Sequence, residues 1–189
     1  TNKFRDTTFT FNLVEYIPYA KEVFEETETG DKYLHFVEST SGDRHDHYIK
    51  KGTSQLIHNV LVGFDNVNNN SIDIITVNDT LKILTEKAGT FIRMADKFNG
   101  TIVQDSIQDF QLLSLHQLAG LSFVVPTPAI RGTYKTVSGT REDNALDRLV
   151  FNVTVGDETK QVTVNGTQYR IQNPERITVG GLNFRVNYG

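Results

Sequence analysis

The sequence predicts a mainly β protein: a β-sandwich or distorted barrel of many short antiparallel strands with one short helix. Apolar and polar residues alternate with a period of two in many short runs, which is the pattern of half-buried strands. Turn-forming residues separate these runs at near-regular spacing. Of the 189 residues, 38% are hydrophobic and 22% are charged, a composition typical of a globular protein with a sizeable core.

The first 98 residues are predicted to be almost entirely strands. In residues 8–17, Phe9, Phe11 and Leu13 alternate with polar residues until Pro18 interrupts the pattern. Residues 22–31 are rich in acidic and turn-forming residues, so we expect a solvated loop there. Further strands are predicted at residues 33–38, 46–50, 55–64, 72–77, 81–84 and 90–94.

The alternation weakens in the middle of the chain, where the sequence predicts its one short helix. Leu115 and Ala119 fall on helical spacing. Ser114 followed three residues later by Gln117 matches a capping box, and Gly120 suits the position just after a helix. We therefore expect a helix from Leu115 to Ala119.

The last part of the chain returns to strands. Residues 149–155 and 161–164 alternate on either side of residues 156–159, which predicts a hairpin. A second turn is predicted at Asn165-Gly166, with a strand at residues 168–171 after it. A Gly-Gly turn at Gly180 then precedes a final alternating run.

We expect residues 1–189 to form a single β-rich domain, which can be divided into sub-parts 1–98 and 129–189 joined by 99–128. The chain begins without Met, and its last alternating run is still in progress at Gly189. These ends indicate a segment excised from a longer protein. The predicted core consists of apolar residues on the inward face of each alternating run: Phe9, Phe11, Leu13, Leu56, Val60, Val150, Val162, Val164, Leu182, Phe184 and Val186.

Composition excludes several classes of function. The chain has no cysteine, which rules out disulfides, thiolate metal sites and thiol redox chemistry. Its formal charge of −4 offers no electrostatic footprint for nucleic acid. No nucleophile motif, phosphate-binding loop or spaced pair of catalytic carboxylates is present in the sequence, so we predict no catalytic residues and no enzymatic activity.

His45 and His47 are the candidate metal ligands. Residues i and i+2 of a strand project from one face, so the two imidazoles could meet one ion. Zinc needs at least one more protein ligand, and the sequence identifies none, so we expect weak zinc binding. The alternative is an exposed polar strand that binds no metal. For His35, His58 and His116 we expect structural roles, as hydrogen-bonded histidines that are buried in the fold.

Five passages resemble the ResB-like (CcsB-like) family of system II cytochrome c biogenesis, in the bacterial form that is fused to a CcsA-like part. They are VEYIPYAK at residues 14–21, IHNVL at 57–61, FIRMAD at 91–96, FVVPTP at 123–128 and VGGLNFRVNYG at 179–189. The resemblance spans most of the chain, in the same order. None of the passages contains a catalytic motif, so they indicate a family rather than a mechanism.

This resemblance implies an extracytoplasmic domain on the periplasmic side of the bacterial inner membrane, within an integral membrane protein. Such a domain serves cytochrome complex assembly and haem delivery by scaffolding or by holding apocytochrome c. Its partners are apocytochrome c and the CcsA-like part. The parent protein handles haem elsewhere, so this segment is expected to carry no cofactor. The alternative reading is a cell-surface β-sandwich module that binds a ligand or a carbohydrate.

Overall fold

The computed structural model describes residues 2–40, 42–68, 70–167, 170–171 and 176–185. These residues are mainly β, arranged in several largely antiparallel sheets, none of them closed into a barrel among the residues described, and they fit a β-sandwich-like fold. The predicted fold class is therefore confirmed. Residues 62–64 pair in parallel with residues 72–74.

The strands are named here in chain order. They are β1 (Asn2–Phe4), β2 (Thr7–Ile17), β3 (Lys21–Thr40), β4 (Asp43–Lys50), β5 (Thr53–Ile57), β6 (Val60–Phe64), β7 (Ile72–Val77), β8 (Thr80–Thr85), β9 (Gly89–Arg93), β10 (Asn99–Ile102), β11 (Gln108–Asp109), β12 (Ser114–Leu118), β13 (Leu121–Val124), β14 (Ile130–Val137), β15 (Asp147–Val155), β16 (Glu158–Thr167), β17 (Arg170–Ile171), β18 (Arg176–Val179) and β19 (Leu182–Arg185). A single 3₁₀ turn, Arg141–Asp143, lies between β14 and β15.

The predicted helix at Leu115–Ala119 is wrong, because this segment belongs to strand β12 and the turn that follows it. Ala119 and Gly120 both have positive φ, at 53° and 87°, and they join β12 to β13 as a two-residue hairpin turn. The glycine that suggested a helix end is thus a turn glycine. The inward positions of β12 include Ser114 and His116, whose polar side chains hid the alternation.

Other predicted boundaries also differ from the structure. The turn predicted at Asn165-Gly166 lies within strand β16, and residues 168–169 of the strand predicted after it lie outside the described residues. The acidic stretch 22–31 is not a loop, because it lies within the 20-residue strand β3, which pairs with β14. Ladder hydrogen bonds satisfy the backbone there despite the low β propensity of glutamate. The predicted strand 55–64 is two strands, separated by a turn in which His58 and Asn59 have φ of 43° and 66°.

The chain forms two compact units, Thr1–Val23 with Tyr134–Gly189, and Phe24–Thr133. This division does not follow the predicted sub-parts 1–98 and 129–189. The reason is that β2, near the start of the chain, pairs along most of its length with β15. Within this register, Val14 is the additional residue of a bulge that faces Val150 and Phe151.

In the unit that contains both ends of the chain, a five-stranded sheet has the order β1-β2-β15-β16-β17. The two-stranded β18–β19 hairpin packs against it, and Val153, Val155, Ile177 and Val179 form a small buried core. Because this hairpin is short, it covers only one end of β2. Phe9 and Phe184 are in contact there, with ring centroids 5.2 Å apart.

In the unit of residues 24–133, the larger core is formed by residues of two sheets. One is seven-stranded, with the order β10-β9-β12-β13-β3-β14 and with β4 paired to β3; the other has the order β11-β8-β7-β6-β5. The core residues include Leu34, Phe36, Ile49, Phe64 and Phe123.

The predicted core residues divide into three groups. Val60 and Val150 are buried as predicted, whereas Phe9, Val162, Val164, Leu182 and Phe184 are half-buried. Phe11, Leu13 and Leu56 are exposed, so their assignment to the core is wrong; Val186 lies outside the described residues. Leu56 faces solvent because the turn after Ile57 sets the register that buries Ile57 instead. Phe11 lies at the edge of the area that the β18–β19 hairpin covers, with its ring centroid 5.2 Å from that of Phe184. Leu13 lies beyond this area.

Candidate functional site

Glu38 is a carboxylate buried completely within the larger core. Along β3, Leu34, Phe36 and Glu38 share the inward face, because side chains alternate with a period of two. An ionised carboxylate is costly to bury unless hydrogen bonds or opposite charges compensate for its lost hydration. The groups around Glu38 must therefore supply this compensation.

Three histidines surround this carboxylate, and together with it they form what we call the acid–histidine cluster: Glu38, His45, His47 and His58. The His58 Nε2 atom lies 2.9 Å from Glu38 Oε1, and His47 Nε2 lies 3.9 Å from the same oxygen. His45 is opposite Glu38 in the β3–β4 register, and its ring centroid is 6.4 Å from that of His58.

His47 has the least satisfied side chain of the cluster. Its Nε2 atom is buried and has no hydrogen-bond partner within the described structure, while its Nδ1 atom is 3.3 Å from Gln55 Nε2. Burial lowers the pKa of His47; the negative charge of Glu38 opposes this effect, and the neighbouring His45 and His58 reinforce it. The net effect favours the neutral imidazole of His47.

The predicted pairing of His45 and His47 on one face agrees with the observed register, in which they lie opposite Glu38 and Phe36. As the side chains stand, the described residues contain no group of three acidic, imidazole or thiol donors placed to hold a metal ion. The sequence did not identify Glu38 as part of the site. The signal that could have found it is an acidic residue at the inward position of an otherwise apolar strand.

The other three histidines differ in how far they fit the expected structural role. His116 is buried, and its ring stacks between Phe110 and Phe123 at centroid distances of 4.5 and 5.0 Å. His35 is only half-buried; its Nε2 atom is 2.6 Å from Asp46 Oδ1. His58 is not buried, because it lies in the exposed β5–β6 turn, yet it is hydrogen-bonded to Glu38.

The second candidate site is the outer edge of β2, which we define as residues 10–15 and call the β2 edge. Strand β15 pairs with β2 from Phe9 to Ile17, but on the opposite side β1 reaches only Thr7–Phe9. Within the described residues, no strand pairs with residues 10–15 on that side. Backbone donors and acceptors of an edge strand are available to another extended chain.

The β2 edge also carries exposed apolar side chains. Phe11, Leu13 and Val14 are 37%, 51% and 50% exposed. Natural edge strands are commonly protected by lysine, proline or a bulge. This edge has the bulge at Val14 and one carboxylate, Glu15, but neither lysine nor proline.

A third feature is a cleft of about 420 Å³ near the end of β2, lined by Tyr16, Tyr19, Arg141, Asn144, Ala145, Asp147 and Thr167. Asp147 orders the two tyrosines, since the Tyr16 hydroxyl donates to its Oδ2 at 3.0 Å and the Tyr19 backbone N–H donates to its Oδ1 at 2.9 Å. The cleft thus combines aromatic faces with fixed polar groups.

Comparisons with protein-family models, with curated proteins and with solved structures find no match for this chain. A search of the described residues for a helix long and apolar enough to cross a bilayer also finds none.

Proposed function

We propose that this chain is a non-catalytic, extracytoplasmic domain of a membrane protein that assembles cytochromes c, and that it holds unfolded apocytochrome c for haem attachment. Two separate considerations support the proposal. The five passages that resemble ResB-like proteins supply the biological context. The β2 edge supplies a physical means of holding an extended chain, and it is the observation on which the proposal rests.

Strand addition suits this task because main-chain hydrogen bonds provide affinity that tolerates different sequences. An apocytochrome is extended before haem attachment, so its backbone is free to pair. The exposed side chains of Phe11, Leu13 and Val14 offer apolar contacts to alternate residues of the added strand. A domain with this surface accepts many apocytochromes without reading a particular sequence.

The same hypothesis assigns haem and polypeptide to different parts of the protein. The haem is carried by the parent protein and its CcsA-like part, and this domain positions the polypeptide beside them. Such a role requires neither a catalytic residue nor a cofactor in this segment. The location that it requires is the periplasmic side of the inner membrane.

Blocking the β2 edge is expected to weaken peptide binding. A fluorescently labelled, unstructured peptide containing Cys-x-x-Cys-His, kept reduced, is titrated with the protein, and its anisotropy is measured. Leu13→Lys combined with Val14→Lys places two charges on the edge, the device by which natural edges avoid pairing. We expect the affinity to fall by at least about tenfold, equivalent to about 1.4 kcal/mol.

The matched control is Leu56→Lys, which adds a lysine at a leucine that is 65% exposed on β5, in the other compact unit. It should bind the peptide as the unaltered protein does. A second peptide with both cysteines replaced by serine should bind with similar affinity, because the main chain carries the interaction. Equal binding by the edge variant and the control would refute the proposal.

The cleft around Tyr16 and Tyr19 favours the second candidate function, a surface module that binds carbohydrate. Sugar rings pack on aromatic faces, and their hydroxyls bond to polar side chains such as Asn144 and Arg141, which line the cleft. Titrating isotope-labelled protein with a panel of oligosaccharides tests this reading. Saturable amide shifts confined to the cleft, and lost in Asn144→Ala, would support it; shifts absent at millimolar sugar would exclude it.

A further inference from the structure

The acid–histidine cluster carries an inference that does not depend on peptide binding at the β2 edge. We propose that Glu38, His47 and His58 bind one divalent transition-metal ion of the zinc type, with His45 as the fourth donor. The ion links β3 and β4 of the seven-stranded sheet to the β5–β6 turn of the five-stranded sheet, so its role is structural. Three imidazoles and a carboxylate form a donor set that zinc accepts in tetrahedral geometry.

The spacing of the donor atoms is close to what such a site needs. With metal–ligand bonds of about 2.0–2.1 Å, neighbouring donors of a tetrahedral site lie about 3.3 Å apart. Glu38 Oε1 is 2.9 Å from His58 Nε2 and 3.9 Å from His47 Nε2. Each separation differs from the zinc spacing by about half an ångström, in opposite directions. Binding of the ion requires side-chain rotations that bring both separations to that value.

As the side chains stand, the described residues contain no group of three donors placed to hold a metal ion, and both separations depart from the zinc spacing. His58 Nε2 is at hydrogen-bonding distance from Glu38, which is too close for a shared ion. His47 Nε2 is beyond hydrogen-bonding distance from the same oxygen and has no hydrogen-bond partner among the described residues. An ion between the three atoms lengthens the first separation and shortens the second.

His47 has the properties of a ligand more than those of a structural histidine. A buried nitrogen without a hydrogen-bond partner destabilises the fold, and coordination to a metal ion removes that cost. Coordination uses the lone pair of Nε2 in the neutral imidazole, and this is the atom that lacks a hydrogen-bond partner.

A ligating histidine normally donates its other N–H to a nearby acceptor, which fixes the ring. Gln55 is placed for this role, because its amide group is 3.3 Å from His47 Nδ1. Exchanging the amide oxygen and nitrogen of Gln55 gives an acceptor at that position. Gln55 is therefore placed to accept the hydrogen bond that fixes the ring of a metal-bound His47.

The test is a calorimetric titration of tag-free, chelator-treated protein with zinc chloride. We expect one saturable site per chain, with an affinity that falls by more than about tenfold in His47→Ala and in His58→Ala. His35→Ala is the matched control, since it removes an imidazole that is bonded to Asp46 and lies outside the cluster. It should bind zinc as the unaltered protein does.

A second readout guards against loss of folding in a variant. His58 lies in an exposed turn, so His58→Ala should keep its circular dichroism spectrum. Zinc should raise the melting temperature of the unaltered protein but not that of His58→Ala, because only a native-state site stabilises the fold. No saturable heat, or unchanged affinity in His58→Ala, would overturn the proposal.

Discussion

Replacing Phe36 by alanine is expected to lower the free energy of unfolding by about 3–5 kcal/mol. Phe36 is completely buried in the larger core, and its ring stacks on that of Phe123 with centroids 4.3 Å apart. The substitution removes the transfer energy of the ring and leaves a cavity that a close-packed core fills poorly. The ring of His47, 6.5 Å away, also loses a neighbour.

Urea denaturation followed by circular dichroism measures this change, since the chain has no tryptophan to report by fluorescence. The matched control is Phe98→Ala, which removes the same ring from an exposed position. It should cost about 1 kcal/mol or less. Equal unfolding midpoints for Phe36→Ala and Phe98→Ala would contradict the described core.

Lowering the pH from about 6.5 to about 4 is expected to remove about 3 kcal/mol of stability through His116 alone. Burial between two phenylalanine rings lowers the pKa of His116 from 6.5 to about 4. The unfolded chain therefore binds this proton more readily than the folded protein does. The stability that depends on neutral His116 is fully present above pH 6.5 and is lost as the pH falls from 6.5 to about 4.

The difference between the protein and His116→Leu isolates this effect. The variant keeps an apolar side chain at the site but cannot titrate there, so its stability should depend less on pH between 6.5 and 4. Three carboxyl groups also have lowered pKa values: Asp46, Asp96 and Asp143. They are protonated in the folded protein only below the ordinary pKa of 3.8, and their effect on stability is common to both proteins. If the stabilities of the unaltered protein and of His116→Leu fell equally between pH 6.5 and pH 4, the prediction would be wrong, and His116 would be accessible to protons in the folded protein.

The fold class could be predicted from alternation because strands leave a period-2 pattern wherever one face is buried. The pattern located β15, and the Gly180-Gly181 turn is a hairpin turn as predicted. It failed at β12, where buried Ser114 and His116 are polar. It also failed at β3, where pairing partners distant in sequence stabilise an acidic strand.

The candidate site could be predicted only in part, for a related reason. The spacing of His45 and His47 places them on one face from local geometry alone. Their neighbours Glu38 and His58 depend on which strands pair and on where the β5–β6 turn falls. A turn at His58-Asn59 changes the side on which His58 projects, and no short-range pattern in residues 55–64 gave that position.

The most direct test of strand addition is to detect the added strand itself. Protein labelled with ¹⁵N and ¹³C is mixed with an unlabelled, unstructured Cys-x-x-Cys-His peptide, and filtered nuclear Overhauser spectra record contacts between the two chains. Strand addition predicts cross-strand contacts from the backbone of residues 10–15 to the peptide, with slowed amide exchange at the same residues. Peptide contacts that map elsewhere, with the amides of residues 10–15 still exchanging freely, would contradict it.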